Sequence, residues 1–121
     1  MSKSSNRKVL ENLYLPSRFL DKLIKDLDYI LKININTLEL IVLFGSCSNG
    51  RLKVTSDIDL LLVTSEKPNQ TLRGEIAAEL AEPINGVASD VVFYTINEIK
   101  SGTSLFLKQF MEEGIVIWKK D

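Results

Sequence analysis

Apolar positions recur along the chain with two different periods. Between Ser17 and Leu31, the residues Leu20, Leu23, Ile24, Leu27, Ile30 and Leu31 return every three or four places, the spacing of one helical face, while Lys22, Lys25, Asp26 and Lys32 fall on the side expected to stay wet. Pro16-Ser17 marks the start of this scaffold helix, with Ser17 as its N-cap. Asn34 to Thr37 break the pattern. Two strand-like runs follow, Leu38 to Phe44 and Asp57 to Val63. In the second, Ile58, Leu60 and Leu62 take one face and Leu61 and Val63 the other, so beyond its aspartates the strand is expected to be buried on both sides. Thr64 to Asn69, with Pro68, reads as a loop. A helix is predicted from about Thr71 to Ala81, with Leu72, Ile76, Ala77 and Leu80 as its apolar stripe and Pro83 as its stop. A third strand covers about Asp90 to Thr95. A last helix carries Leu105, Phe106, Phe110 and Met111, capped by Asn97 or by Thr103-Ser104 and ended by Gly114, and Ile115 to Trp118 closes the sheet.

Connector lengths constrain the pairing. Parallel neighbours need a crossover of a dozen residues or more, so the ten-residue spacer from Cys47 to Ser56, holding a helical turn, predicts that the first two strands are antiparallel. The connection from Ser65 to Ser89 is long enough for a helical crossover, which predicts a third strand parallel to the second. The fold class that results is α/β (α+β), a small mixed sheet of three to four strands flanked by helices. With 121 residues, 45% of them apolar and 26% charged, the chain suits one domain, taken here as residues 17–121 after a polar arm of residues 1–16. Met1 to Arg7 is polar and Ser-rich and reads as a frayed terminus.

Charge and composition narrow the chemistry. The net charge of −1 leaves no broad footprint for an extended nucleic acid. A single cysteine, Cys47, excludes a disulfide within the chain, and with neither a signal-peptide pattern nor a membrane-length apolar run the expected setting is the cytoplasm. No histidine is present, so a catalytic triad or zinc site built on histidine from this chain alone is ruled out. Carboxylates are left to do the work. Asp57 and Asp59 share one face of a strand roughly 7 Å apart, and a third carboxylate, Asp90, opens the next strand at the same sheet edge. Such neighbours repel, and a hard divalent cation, Mg²⁺ or Mn²⁺, relieves that repulsion through oxygen ligands. Gly45-Ser46 directly follows the first strand. If Ser46 caps a helical turn running to Gly50, its free N–H groups and hydroxyl face the strand mouth, where a phosphate fits. Cys47 has no thiol or histidine to activate it and reads as a packing residue. Leu105, Phe106, Phe110 and Trp118 likewise suit a core better than a stacking surface.

Gly45-Ser46, the spacer from Cys47 to Ser56, Asp57-Ile58-Asp59 and Ser89-Asp90-Val91-Val92 together resemble the nucleotidyltransferase superfamily that includes DNA polymerase beta, and more closely its minimal nucleotidyltransferases. The resemblance runs from about Leu38 to the C-terminus, and the segment from Phe110 to Trp118 looks like the family's last helix and strand. It implies a nucleotidyltransferase fold in which Asp57 and Asp59 hold metal, Asp90 is third ligand and base, and Gly45 and Ser46 cradle the phosphates of ATP or another nucleoside triphosphate. Two Mg²⁺ ions are implied, with Mn²⁺ as a substitute. This sequence departs from the pattern at Ser48-Asn49-Gly50, where many relatives place an Arg before the second Gly, leaving Arg51 or Lys53 to contact phosphate in its stead.

Small free-standing members of this family often pair with a HEPN protein, and several are antitoxins that adenylylate a tyrosine of that toxin. The resemblance therefore implies AMP transfer from ATP to a tyrosine of a HEPN-type partner. The chain ends soon after the core, so a partner is expected to bring the acceptor. Two other functions fit the same residues. One is a non-catalytic nucleotide-binding module that neutralises a partner by masking it. The other is a homodimeric nucleotidyltransferase acting on a small molecule of the aminoglycoside type.

Overall fold

Apolar alternation over Leu38–Phe44 (β1) and Ile58–Thr64 (β2) builds the centre of the sheet, and the two strands pair antiparallel, as the short connector between them requires. Our computed structural model describes Leu10, residues 13–102 and residues 112–121. Within them the chain runs from α1 (Ser17–Ile33) through β1, the one-turn helix α2 (Ser46–Asn49), β2, α3 (Gln70–Ala81), β3 (Ser89–Thr95) and α4 (Ile96–Ser101) to β4 (Ile115–Lys119). The sheet has the order β3-β2-β1-β4, with β3 parallel to β2 and β4 antiparallel to β1. Fold class and strand directions thus agree with the expectation.

One face of the sheet carries the larger core. Ile41 and Leu43 of β1, Ile58, Leu60 and Leu62 of β2 and Ile117 of β4 pack with Phe19, Leu23, Leu27 and Ile30 of α1 and Ile76 and Leu80 of α3. The core also reaches upstream of α1, since Leu10 is buried and Leu13 and Leu15 pack against it. The opposite face carries a smaller cluster of Val42, Leu61 and Val63, flanked by Leu40, Phe44, Val92, Tyr94 and, from α4, Ile96 and Ile99. Among the described residues this second face keeps an apolar hollow of about 360 Å³. Both flanks of β2 are therefore apolar beyond its first residues, matching its continuous hydrophobic run.

Several local expectations change. Ser17 is not the N-cap of α1 but its first residue; Pro16 precedes it with extended backbone and no side chain caps the helix. Lys22 and Asp26, placed on the wet side by periodicity, are buried at 1% and 4% exposure. They escape the usual rule because they pair with each other inside the protein. α3 starts at Gln70, one residue early, because the Asn69 side chain accepts the N–H of Leu72 at 2.8 Å. It ends at Ala81, and Glu82, held extended by the following Pro83, stops it. Ala77 of its expected stripe is exposed, since Ile76 and Leu80 alone reach the core deeply. Asn97 does not cap a helix; Thr95 caps α4, with Glu98 completing a reciprocal capping box. The helix expected around Leu105, Phe106, Phe110 and Met111, its alternative cap Thr103-Ser104, and the terminus Met1 to Arg7 lie outside the described residues.

These caps yield a paired prediction. Asn69→Ala removes a bonded cap and lowers unfolding free energy by about 1 kcal/mol. Ser17→Ala touches no cap and shifts it by less than about 0.5 kcal/mol. Urea midpoints at unchanged slope distinguish the two.

Candidate active site

The three aspartates meet because of strand register. Asp59 is the Cα partner of Asp90 in the parallel ladder and of Phe44 in the antiparallel one. Adjacent strands lie about 4.8 Å apart, so Asp59 and Asp90 stand side by side. Asp57, two residues earlier, shares their face, the one that farther along carries Leu61, Val63, Val92 and Tyr94. The end of β1 and the starts of β2 and β3 coincide at this edge. Asp57 and Asp90 are exposed and Asp59 is half-buried. Burial, and then the charges of Asp90 and Asp57, push the Asp59 carboxyl above its ordinary value.

Gly45 is required at the turn out of β1 on two grounds. Its backbone has φ +72°, which L side chains rarely adopt, and a Cβ there would collide with the Asp59 carboxylate. Gly45 also takes the N-cap position of α2, where Ser46 was expected. Its carbonyl accepts from the N–H groups of Ser48 and Asn49 at 3.0 and 3.2 Å and from the Ser48 hydroxyl at 2.9 Å. Ser46 is accordingly the first residue of the turn, and its hydroxyl does no capping. Gly50 closes the turn with φ +77°. Cys47 is buried against the base of the site, its thiol facing the carbonyl of Asp57 at 3.9 Å. Burial and the Asp59 charge push that thiol up to about 11, which leaves it protonated and inert at neutral pH.

Arg51 and Lys53 lie exposed on the connector between α2 and β2, held there by backbone contacts. The Arg51 N–H donates to the Asn49 side chain at 3.0 Å and the Lys53 N–H to the Ser56 hydroxyl at 2.8 Å. Among the described residues neither side chain forms an ion pair with the aspartates. The structure thus brings Asp57, Asp59, Asp90 and Gly45 together and leaves Arg51 and Lys53 at the rim.

The donor set suits a hard divalent cation in kind, being all carboxylate oxygen. As the side chains stand, no three Asp, Glu, His or Cys groups among the described residues close on one point as ligands. The backbone supplies the juxtaposition of the aspartates.

Sequence periodicity missed Ser89, Asp26 and Lys22. Ser89, next to Asp90, is buried, and its hydroxyl donates to the Asp26 carboxylate, which also accepts from Lys22. Burial pushes the Asp26 carboxyl up against the lowering effect of those two hydrogen bonds. A lysine and an aspartate four residues apart on a helix were visible as a pair, but their burial was not.

Residues 25–121 match the family model described as polymerase beta, nucleotidyltransferase. The protein adenylyltransferase MntA of Shewanella oneidensis is 32% identical over 89 residues, 74% of this chain; the chain spans about 60% of that relative's length. A crystal structure of a toxin-antitoxin with AMP-PNP superposes with TM-score 0.57 at 29% identity, covering 80% of this chain and 73% of that one. The tri-AMPylated Shewanella oneidensis HEPN toxin in complex with MNT antitoxin gives TM-score 0.52 at 26% identity, covering 82% and 73%. With four-fifths of its length inside the family model and the family's Gly-Ser turn and aspartates gathered at one sheet edge, this chain belongs to the polymerase beta nucleotidyltransferase family.

Proposed function

We propose that this protein transfers AMP from ATP to a tyrosine hydroxyl of a HEPN-type toxin and acts as its antitoxin in the cytoplasm. The observation that carries this reading is the register that sets Asp59 beside Asp90 and against Gly45. The similarity to MntA and to the toxin-antitoxin complexes supports the choice of donor, acceptor and partner. No described helix is long and apolar enough to cross a membrane.

In this proposal Asp57, Asp59 and Asp90 hold Mg²⁺, or Mn²⁺ in its place. Bound there, the cations neutralise the triphosphate and stabilise the attacking and leaving oxygens of an in-line displacement. Asp90, the more exposed partner of the Asp59–Asp90 pair, takes the proton of the acceptor hydroxyl as its oxygen bonds the α-phosphorus. The bond from that phosphorus to the bridging oxygen breaks, and pyrophosphate leaves with the electron pair. Gly45 lets the chain turn without filling the space against Asp59, and Ser46, whose hydroxyl is not spent on capping, contacts a phosphate. Arg51 and Lys53 reach the outer phosphates from the rim.

A second reading, masking of the partner without catalysis, draws on two observations. The carboxylates do not close on one point as they stand, and the Arg51 and Lys53 side chains form no ion pair with the aspartates among the described residues. Dependence on the aspartates separates the readings. With labelled ATP, Mg²⁺ and a HEPN-type toxin as partner, label passes to the partner, and Asp57→Asn with Asp59→Asn brings transfer to background. Neutralisation of the toxin that survives loss of all three aspartates selects masking.

Two further outcomes follow from the site. Gly45→Ala forces a side chain into a left-handed position and against Asp59; it loses about 1–3 kcal/mol of stability, measurable by chemical denaturation, and label transfer falls with it. The Asp59 carboxyl lies above its ordinary value of 3.8 in the folded chain. Without divalent cation, its contribution to stability is fully present below that ordinary value and is lost as pH rises through the raised one. In chelator, Asp59→Asn therefore melts above the parent at pH 7, and the difference closes on acidification, as a pH series of thermal scans reads out. Calorimetric Mg²⁺ affinity moves the opposite way, weakening as pH falls through the same raised value because protons compete for the ligands.

A further inference from the structure

Three polar residues of α1 repeat at intervals of four, Arg18, Lys22 and Asp26, and so form one stripe along the helix. Arg18 and Asp26 reach segments just upstream of an aspartate, and Lys22 ties Asp26 to the end of α3. The Arg18 guanidinium donates to the carbonyl of Val54 at 2.7 Å and to that of Asn85 at 3.4 Å. Val54 lies on the approach to Asp57. Asn85 sits in a tight Asn-Gly turn, φ +54° and +78°, closed by the Ile84–Val87 bridge, on the approach to Asp90. The Lys22 ammonium donates to the Asp26 carboxylate and to the carbonyl of Leu80, in the last turn of α3, at 2.9 Å. The Ser89 hydroxyl donates to the other oxygen of Asp26.

Lys22, Asp26 and Ser89 are all buried to 4% exposure or less. Apolar side chains of similar volume hold helices against a sheet as well as a buried ion pair does, or better, because they carry no desolvation cost. What the pair adds is direction. A carboxylate braced by an ammonium can accept from one hydroxyl in one place, and that hydroxyl belongs to the residue preceding Asp90. Ser89 is also the ladder partner of Ile58, which lies between Asp57 and Asp59, and the Ile58 N–H donates to the carbonyl of Ala88 at 2.9 Å. Holding Ser89 therefore steadies the first rung of the ladder, next to the one at which Asp90 meets Asp59.

We propose that the buried chain Lys22–Asp26–Ser89 is a positioning device for the cation site, with Asp26 and Ser89 acting through Asp90 rather than touching substrate. The inference rests on the reading of Asp57, Asp59 and Asp90 as that site, and its test separates the two. Mn²⁺ binding to the full chain is titrated by electron paramagnetic resonance, without nucleotide or partner, alongside thermal unfolding. The variants are Ser89→Ala, Ser89→Thr, the apolar pair Lys22→Met with Asp26→Leu, and, as reference, Asp57→Asn with Asp59→Asn. The expected result is Mn²⁺ affinity about tenfold weaker in Ser89→Ala and in the apolar pair, retained in Ser89→Thr, with the apolar pair melting no lower than the parent. Unchanged affinity in both Ser89→Ala and the apolar pair, while the reference variant loses Mn²⁺, overturns the positioning role and leaves the cation site standing. Undiminished binding by the reference variant overturns the cation site and the positioning role with it.

Discussion

Negative charge gathered by strand register is the constraint around which this fold is arranged. β2 places Asp59 between Phe44 on one side and Asp90 on the other, and the pleat puts Asp57 on the same face. Each carboxylate is acceptable in water. Together at the mouth of a buried strand they oppose one another, and the Asp59 carboxyl is raised first by its burial and then by the charges of Asp90 and Asp57. A protein that holds such groups adjacent keeps an electrostatic strain that only a cation or a proton relieves.

Holding the aspartates there takes cohesion elsewhere. Directly behind them, Ile58, Leu60 and Leu62 alternate into the core formed with α1 and α3, so β2 is anchored on one face while presenting carboxylates on the other. Gly45 makes the complementary concession by omitting a side chain where Asp59 needs space. Below the edge, the polar stripe of α1 reaches the approaches to both aspartate-bearing strands through Arg18, Lys22 and Asp26. The helix that periodicity marks as mere scaffold is thus connected to the site by directional bonds as well as by apolar contact.

The departure at Ser48-Asn49-Gly50 acquires a physical setting in the structure. Where a planar guanidinium would hold phosphate in two places, Asn49 instead turns its side chain to the Arg51 N–H. Arg51 itself stands exposed on the connector. In the proposed function, phosphate contact from this segment falls to longer, more solvated side chains, whose ordering carries an entropic cost that a preformed clamp avoids.

Much of this was legible in the chain. Connector lengths settled the strand directions, since ten residues are too few for a parallel crossover and twenty-five are ample. The placing of Gly45, Asp57, Asp59 and Asp90 at strand ends was enough to predict that they meet, because strand ends are local features and register follows from the apolar faces. Caps were read less well: Gly45 and Thr95 stand where Ser46 and Asn97 were expected, and Asn69 caps a helix for which no cap was named. The burial of Lys22, Asp26 and Ser89 was not legible at all. Periodicity assigns a charged residue to water by default, and only the packing of α1 against the approach to β3, sixty-three residues apart in the bond from Asp26 to Ser89, decides that these groups satisfy one another inside the protein. The sequence alone determined which acidic residues gather and at which sheet edge, because both depend on local periodicity and connector length; tertiary structure alone decided what packs behind them, because that depends on which distant surfaces come into contact.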